Sequence, residues 1–296
     1  MAARLGARSA YLGCVGNDRQ GQYLLDCLQQ EAVDASRCRM LAGNNGWACV
    51  DSTDGERVFL GSDPGVCRQL RLDADDLAYI GTFGLAHSSL YSGLQDQLAQ
   101  VRQASGCLSF DFSDNWVEFD WQALIQHVDI AFFSAAECSS KQAVELANSL
   151  RAMGPAVVVI TRGAQGAIAV DARGTHEQPA QPCTFVDSMG AGDGFIAAFL
   201  LACVTGLVTL PQAVAVGLDG DDVAHPDEGA LVAESHEQAV GVGHRLACGR
   251  RRLRGSKSVH RHGEPLRRHR LQQIVECVHL EGAEGVLIVR GHEHDL

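Results

Sequence analysis

Three glycines and two carboxylates stand directly before an apolar run in the stretch VDSMGAGDGFIAAFL, residues 186–200. Glycine lets the backbone come close to another group, and Gly190, Ala191 and Gly192 lead straight into a predicted helix. Free N–H groups at a helix N-terminus bind anions, and a phosphate is the anion that we expect here. Asp193 would repel a phosphate, but its carboxylate makes chemical sense as a base that deprotonates a hydroxyl attacking the phosphorus.

Asp193 also has a simpler interpretation, because aspartate is a favoured residue at the start of a helix and can act as its cap. The sequence has no G-x-x-x-x-G-K-[ST] motif, which excludes a P-loop kinase, and no G-x-G-x-x-G motif after an early strand. The chemistry therefore depends on which polar residues the fold brings beside Asp193.

Strand-like and helix-like segments alternate up to about residue 217. The predicted strands are residues 9–16, 77–83, 107–113, 129–135 and 156–163, and the predicted helices are residues 20–33, 94–105, 135–153 and about 193–205. This alternation predicts an α/β fold with a doubly wound, mainly parallel sheet. Ligands bind beyond the carboxyl ends of such strands, so we expect those ends to meet near the glycine-rich stretch.

Two hairpins are predicted outside this alternation. Asp54–Gly55 is a strong turn signal between two apolar segments, and the hairpin at about 47–60 would form a small β lid. Residues 167–181 would form a second hairpin at the edge of the sheet.

The chain changes character near residue 217. All 17 Phe, Tyr and Trp residues lie at or before Phe199, and ten of the 24 Lys and Arg residues lie between Arg245 and Arg270. Such a segment buries little apolar surface, so we predict that residues 218–296 are a poorly ordered, basic, His-rich tail. Alternatives are a nucleic-acid patch, which the lack of interleaved aromatic residues argues against, and a shifted reading frame.

Composition bounds the class of protein. The chain has 296 residues, of which 46% are hydrophobic and 20% charged, and its net charge of −12 argues against a nucleic-acid surface over the whole molecule. No apolar run of membrane-spanning length and no signal peptide is visible, so a cytoplasmic protein without membrane contact is expected. None of the 11 cysteines forms a Cys-x-x-Cys pair, which favours reduced thiols over a disulfide frame or a zinc site.

Several motifs together resemble those of the PfkB/ribokinase family of sugar kinases. DSMGAGD (187–193) resembles the family signature, whose aspartate is the catalytic base and whose Gly-Ala-Gly turn holds the anion. VGNDRQG (15–21) resembles the family's V-G-x-D-x-x-G, and TRGAQG (161–166) resembles its nucleotide-binding T-x-G-x-x-G turn. SAAE (134–137) stands where the family has N-x-x-E, with serine in place of the asparagine.

The resemblance covers residues 1–217 and implies a ribokinase-like fold with a defined site. The implied catalytic residues are Asp193, Gly190, Ala191 and Gly192; the implied nucleotide contacts are Thr161, Gly163, Gly166, Ser134 and Glu137; the implied substrate contacts are Asp18 and Asp111; and the implied ion contacts are Glu137 for magnesium, indirectly, and Asp187 for a monovalent cation. Alternatives remain at several positions. Asp18 could close a turn, Glu137 could cap the next helix, and residues 161–166 could be an ordinary strand exit.

The stretch FDFSDNW (110–116) is similar to the branch of this family that acts on Amadori sugars. The implied activity is an ATP- and Mg²⁺-dependent phosphorylation of a primary hydroxyl, the 6-hydroxyl of fructoselysine. Relatives often pair through their lid sheets, so a homodimer is one expectation, but the sequence leaves the oligomeric state open. The alternatives are another sugar or a nucleoside as acceptor, or a non-catalytic remnant of such an enzyme.

Two family features have no counterpart in this sequence. Family members begin with a strand that carries a substrate-binding Asp, followed by a Gly-Gly-x-x-x-Asn motif, whereas Met1–Gly6 resembles the end of the helix after that motif. Beyond Gly217 the family's closing helices are not matched. The resemblance therefore implies a gap inside the sheet, with each buried unpaired backbone group costing about 1–3 kcal/mol, and hence a weakly stable, poorly active chain.

Overall fold

The computed structural model of the protein describes residues 1–51, 58–114, 116, 120–181, 190–205, 209–220 and 285–290. Its strands are β1 (Arg8–Gly16), β2 (Arg39–Leu41), β3 (Trp47–Asp51), β4 (Val58–Asp63), β5 (Leu85–Ser89), β6 (Leu108–Asp111), β7 (Ile130–Ser134), β8 (Val157–Thr161), β9 (Ala167–Asp171), β10 (Gly174–Gln178) and β11 (Gly285–Arg290). Its helices are α1 (Arg19–Gln30), α2 (Ala74–Ile80), α3 (Leu98–Ala104), α4 (Gln122–Ile125), α5 (Ser140–Arg151), α6 (Ala191–Thr205) and α7 (Leu210–Gly220).

A nine-stranded sheet forms the centre of the molecule, in the order β10-β9-β8-β7-β6-β5-β11-β1-β2. β5, β6, β7 and β8 pair in parallel, as do β1 and β2. β9 and β10 continue the sheet as an antiparallel hairpin at its edge. The predicted α/β fold with a mainly parallel sheet is therefore confirmed, as is the hairpin in residues 167–181.

Helices cover both faces of this sheet, which explains the nearly continuous apolar runs of the central strands. In β8, Val158 and Ile160 belong to the hydrophobic core on one face, and Val157 and Val159 belong to the core on the other. Residues of α3 and α5 complete the first core, and residues of α6 and α7 complete the second. A strand buried on both faces needs apolar side chains at every position.

Helix α6 is fixed on the sheet by aromatic rings. Phe195 and Phe199 stack on each other with centroids 6.0 Å apart, and the ring of Phe132 in β7 lies edge-on to both, at 6.4 and 5.4 Å. This cluster lies directly after the first turn of α6, so it fixes that turn relative to β7. Although α6 is strongly apolar, no helix in the described part of the chain is long and apolar enough to cross a membrane.

Strand β11 lies inside the sheet, antiparallel to β1 on one side and to β5 on the other. Ile288 pairs with Ala10 of β1 and with Ala86 of β5. These six residues belong to the segment 218–296, for which a poorly ordered tail stays a prediction, and β11 lies inside the sheet for which a gap was expected. The basic segment 245–270 lies outside the described residues.

One predicted strand is a helix. Residues 77–83 were predicted to be extended, but α2 covers most of them, and the strand that pairs with β6 is β5. A capping box explains the helix, because the Asp76 amide donates to Asp73 Oδ1 over 2.9 Å and the Asp73 amide donates to Asp76 Oδ2 over 3.1 Å. Reciprocal bonds of this kind satisfy the free donors of a first turn and start a helix.

The predicted lid hairpin is present as a separate two-stranded sheet of β3 and β4. A register shift between Cys49 and Val50 makes its pairing irregular. Its turn, with Asp54–Gly55, lies outside the described residues, and its role as a lid stays a prediction.

The cysteines agree only in part with the expectation of reduced thiols. In the described part of the chain, seven cysteines form no disulfide bond, namely Cys14, Cys38, Cys49, Cys67, Cys107, Cys138 and Cys203. Cys27 is disulfide-bonded, which the sequence did not predict.

Candidate active site

The candidate site begins at the N-terminus of α6. Gly190 has a φ of 75°, a conformation that glycine adopts readily, and its carbonyl accepts a bond of 2.8 Å from the Gly194 amide. A Cβ placed on Gly192 would meet no atom of the described residues within 4 Å, which leaves space beside the first turn. The amides of a first turn have no intrahelical acceptor, and they remain available for an anion in that space.

Two carboxylates lie near this helix start, Asp193 in its first turn and Asp111 at the end of β6. Burial raises the pKa of Asp111 to about 7; the Ser113 amide, which donates to Oδ1 over 2.9 Å, opposes this rise, and the charge of Asp193 adds to it. Loss of surrounding water likewise raises the pKa of Asp193, while the α-ammonium of Met1 lowers it. The two carboxylates are therefore electrostatically coupled, and their titrations are linked.

Asp193 is exposed to solvent, yet its pKa is raised because the surrounding protein removes part of the water around its carboxylate. A carboxylate that solvent reaches from one side only has both properties. Such a group is accessible to a substrate and is also a stronger base than a fully hydrated aspartate.

The C-terminal ends of the parallel strands β7 and β8 lie side by side. Ser134 pairs with Thr161 across the two strands, and their side-chain oxygens lie 3.1 Å apart. Gly163 follows with a φ of 53°, and a Cβ there would meet no atom of the described part of the chain within 4 Å. A Cβ on Gly166, in contrast, would clash with the carbonyl oxygen of Gln178. The fold itself requires Gly166, and Gly163 leaves open space beside the turn.

Glu137 lies in the loop between β7 and α5 and is exposed. It does not cap α5, because Ser139 forms the capping box with Gln142, so the alternative interpretation of Glu137 as a cap is wrong. In the described part of the chain, no three His, Cys, Asp or Glu residues are grouped so as to hold a metal ion. A magnesium ion here would take most of its ligands from phosphate oxygens and water, with Glu137 acting through water.

Asp18 lies apart from this group, after β1, and three strand spacings of about 4.8 Å separate β1 from β6. Its carboxylate accepts the Gly21 amide over 2.8 Å and the Asn45 amide over 2.7 Å, and these bonds, that of Asn45 foremost, lower its pKa. These contacts are those of a residue that closes a turn and caps α1, and a substrate contact at Asp18 stays a prediction. Asp187 lies outside the described residues.

Asn45, the partner of Asp18, was not predicted from the sequence. Asn45 is 3% exposed, accepts the Gly16 amide over 3.1 Å and donates to the Gly46 carbonyl over 2.9 Å. It therefore ties the end of β1 to the loop that enters the lid hairpin. The local sequence GNNG is typical of a turn, but it does not reveal that one of its asparagines is buried.

Comparisons with known proteins bear on this arrangement. A model described as pfkB family carbohydrate kinase matches residues 1–218. Fructosamine kinase FrlD of Bacillus subtilis is 38% identical over 209 residues, 69% of this chain and 73% of that protein. Fructoselysine 6-kinase of Escherichia coli is 34% identical over 214 residues, 72% of this chain and 81% of that protein.

Solved structures share the fold at lower identity. Ribokinase from Arabidopsis thaliana, complexed with ribose and ATP, is 20% identical and superposes with a TM-score of 0.67 over 77% of this chain and 79% of that one. Fructokinase from Vibrio cholerae, with fructose, ADP and calcium bound, is 22% identical with a TM-score of 0.60 over 78% and 84% of the two chains. Family model, relatives and fold agree, and the chain belongs to the pfkB family of carbohydrate kinases, phosphotransferases whose acceptor is an alcohol group.

Proposed function

We propose that this protein is an ATP-dependent sugar kinase that transfers the γ-phosphoryl group to a primary hydroxyl, the 6-hydroxyl of fructoselysine. The observation that carries the proposal is the position of Asp193, a carboxylate with a raised pKa in the first turn of a helix in which Gly192 leaves space beside it. Support for the acceptor comes from the fructosamine kinase and the fructoselysine 6-kinase, which are 38% and 34% identical to this chain.

Asp193 is the general base in this reaction. It takes the proton of the acceptor hydroxyl while the hydroxyl oxygen forms a bond to the γ-phosphorus. The bond from that phosphorus to the bridging oxygen breaks, and ADP leaves with the electron pair. The amides of Gly190, Ala191 and Gly192 donate to the oxygens of the transferred group and stabilise the charge that develops there.

Asp111 binds the sugar. With a pKa of about 7 it is partly protonated at neutral pH, so it can either donate a hydrogen bond to a sugar hydroxyl or accept one. Its position at the end of β6 is near Asp193, as the electrostatic coupling of the two carboxylates requires. A sugar held by Asp111 would present a hydroxyl to the base.

The nucleotide lies on the other side of Asp193, along Ser134, Thr161, Gly163 and Gly166. The open space at Gly163 fits close approach of a ligand to the backbone. Mg²⁺ neutralises charge on the phosphates when it is bound, and Glu137 orients water around it.

A panel of acceptors tests this proposal. Purified protein is given Mg-ATP with fructoselysine, fructose, ribose or a nucleoside; ADP release is followed, and phosphorus NMR identifies the phosphorylated hydroxyl. We expect kcat/KM for fructoselysine to exceed the others by about tenfold or more, because sites that pair substrate polar groups discriminate strongly. A preference for another sugar would overturn the assigned substrate, and no ADP release with any acceptor would overturn the kinase assignment for this chain.

A further inference from the structure

Arg162 is a buried arginine directly after Thr161, and it is 4% exposed. Its Nη2 donates to Glu177 Oε1 in β10 over 2.6 Å and to the Gln165 carbonyl over 3.1 Å, and its Nη1 donates to Gln165 Oε1 over 3.2 Å. Its Nε has no hydrogen-bond partner within the described structure. Because a buried guanidinium stays charged, burying it is unfavourable unless it is paired, so the fold keeps this residue inside by means of these bonds.

The contacts of Arg162 join three segments of the chain. Gln165, held by the guanidinium, donates from Nε2 to the Ala136 carbonyl over 2.8 Å, beside Glu137. Glu177, the ion-pair partner, accepts a bond of 2.7 Å from the hydroxyl of Ser140, the first residue of α5. One guanidinium thus connects the turn after β8, the loop before α5 and the edge strand β10.

Backbone bonds close the turn locally but do not attach it to the loop of Glu137: the Arg162 amide donates to the Gly166 carbonyl over 2.8 Å, and the Gln165 amide donates to the Arg162 carbonyl over 3.1 Å. Gly163 and Gly166 both have positive φ, and the local bond from the Gly166 amide to the Gly163 carbonyl, of 2.9 Å, closes a single turn of 3-10 type. Glycine adds conformational freedom, so a segment with two of them needs contacts from outside to stay in one conformation. The forked guanidinium supplies those contacts, because it bonds both the backbone and the side chain of Gln165.

We propose that Arg162 is a positioning residue, which holds the turn Gly163–Gly166 against the loop of Glu137 and thereby sets the affinity for the phosphoryl donor. The inference rests on the proposed function, because it takes this turn to be the nucleotide contact. Arg162 acts through Gln165 and Glu177, since its bonds are directed to the protein.

Two substitutions separate positioning from stability. Arg162→Met removes the fork, and we expect it to raise the KM for ATP and the Kd for Mg-ADP by about tenfold while the sugar KM changes less than about twofold. Arg162→Lys keeps the charge without the fork, so it should recover only part of the affinity. Mg-ADP binding is measured by calorimetry on the full chain, and Tm is recorded for each variant.

Arg102→Met is the matched control. Arg102 forms an ion pair of 2.8 Å with Asp129 at the N-terminal end of β7. The candidate site lies at the other, C-terminal ends of the strands. Its loss should lower the Tm and leave the KM for ATP and the binding of Mg-ADP unchanged. If Arg162→Met only lowers the Tm, as the control does, Arg162 is structural and the inference is overturned.

A further variant tests the inference even if Arg162→Met fails to fold. Glu177→Gln changes the ion-pair partner of Arg162 at the exposed end of the same network, and we expect this variant to fold. Its Kd for Mg-ADP, measured by the same calorimetry, should be several-fold higher than that of wild type. If Glu177→Gln and Arg162→Lys both bind Mg-ADP as tightly as wild type does, the inference about Arg162 is overturned but the proposed function is not. Wild-type protein that binds no Mg-ADP overturns the inference and the proposed function together.

Discussion

Asp111 and Asp193 bring two carboxylates into a region where burial and mutual repulsion disfavour a second negative charge. Charge repulsion and desolvation both act in the same direction, toward protonation. At the scale of single residues, the site therefore has one carboxylate that can be neutral near pH 7 and one that must be ionised to act as a base. In the proposed function, this difference assigns sugar binding to Asp111 and proton removal to Asp193.

The stability of the protein should depend on pH because of Asp111. Its pKa rises on folding from 3.8 to about 7, so the folded state holds a proton that the unfolded state releases within that range. The free energy of unfolding should therefore fall as pH rises from about 4 to about 7. The fall is at most on the order of 4 kcal/mol, because a pKa difference of one unit corresponds to about 1.4 kcal/mol and solvent screening reduces the effect.

Urea unfolding of Asp111→Asn at several pH values measures this contribution. The variant should lose the decline that wild type shows across that window, so its stability relative to wild type should be greatest above pH 7. Asp26→Asn, at an exposed position on α1, serves as the control and should follow wild type. Parallel curves for wild type and Asp111→Asn would contradict the raised pKa.

The residues of the site were predictable to different degrees. Asp193 and Gly190 stand out in the sequence because a glycine cluster and a carboxylate precede an apolar helix. The proximity of Asp111, at the end of strand β6, to Asp193, in helix α6, joins segments far apart in sequence. No local pattern reveals it, and only the predicted topology, in which the strand ends meet near the glycine-rich stretch, points to it. The burial of Arg162 was not predicted either, because a charged residue in a turn is usually solvated.

At the scale of elements, the first turn of α6 combines a helix start with open space. Alanine is favoured over glycine in a helix, so Gly192→Ala should raise the free energy of unfolding by up to about 0.5–1 kcal/mol. The added methyl group would occupy the space beside the first-turn amides, where a Cβ meets no atom of the residues that the structure describes within 4 Å. We therefore expect kcat/KM to fall by about tenfold or more while stability rises.

Steady-state kinetics and urea unfolding of the same preparations check this prediction. Gly84→Ala is the control, because a Cβ there also meets no atom within 4 Å and Gly84 lies in the turn before β5, away from the site. Full activity in Gly192→Ala would show that no ligand uses that space.

Two elements show where sequence patterns mislead. Tyr79 and Ile80 suggest a strand by their propensity, but the acidic run from Asp73 to Asp76 caps a helix, and the capping bonds decide the outcome. The polar sequence LAHSS at β5 gives little strand signal. It is a strand because β6 and β11 pair with it on both sides, a tertiary effect that local propensity does not contain.

At the scale of the whole molecule, β11 decides whether the sheet is continuous. It pairs with β1 over six residues and with β5 over three, and so connects the part of the sheet with β1 and β2 to the part with β5 to β10. Composition predicted disorder for this region because it lacks aromatic residues. Six residues, GVLIVR, are enough for an interior strand, and an average over 79 residues hides them.

Proline in β11 tests this role. Ile288→Pro removes a backbone donor from a strand paired on both sides, and we expect a loss of about 1–3 kcal/mol or more in the free energy of unfolding. Ile288→Val keeps the donor and should stay within about 1.5 kcal/mol of wild type. Equal stability of wild type and the proline variant would mean that β11 does not hold the sheet together.

The central claim is that Asp193 removes the proton of the acceptor hydroxyl at the start of α6. The most direct measurement is the turnover of Asp193→Asn with its best sugar, together with Mg-ADP binding and with Asp26→Asn as control. If Asp193 is the base, kcat should fall by about 10²–10⁴-fold while nucleotide binding stays within about threefold of wild type. Turnover by Asp193→Asn within about twofold of wild type would contradict this claim.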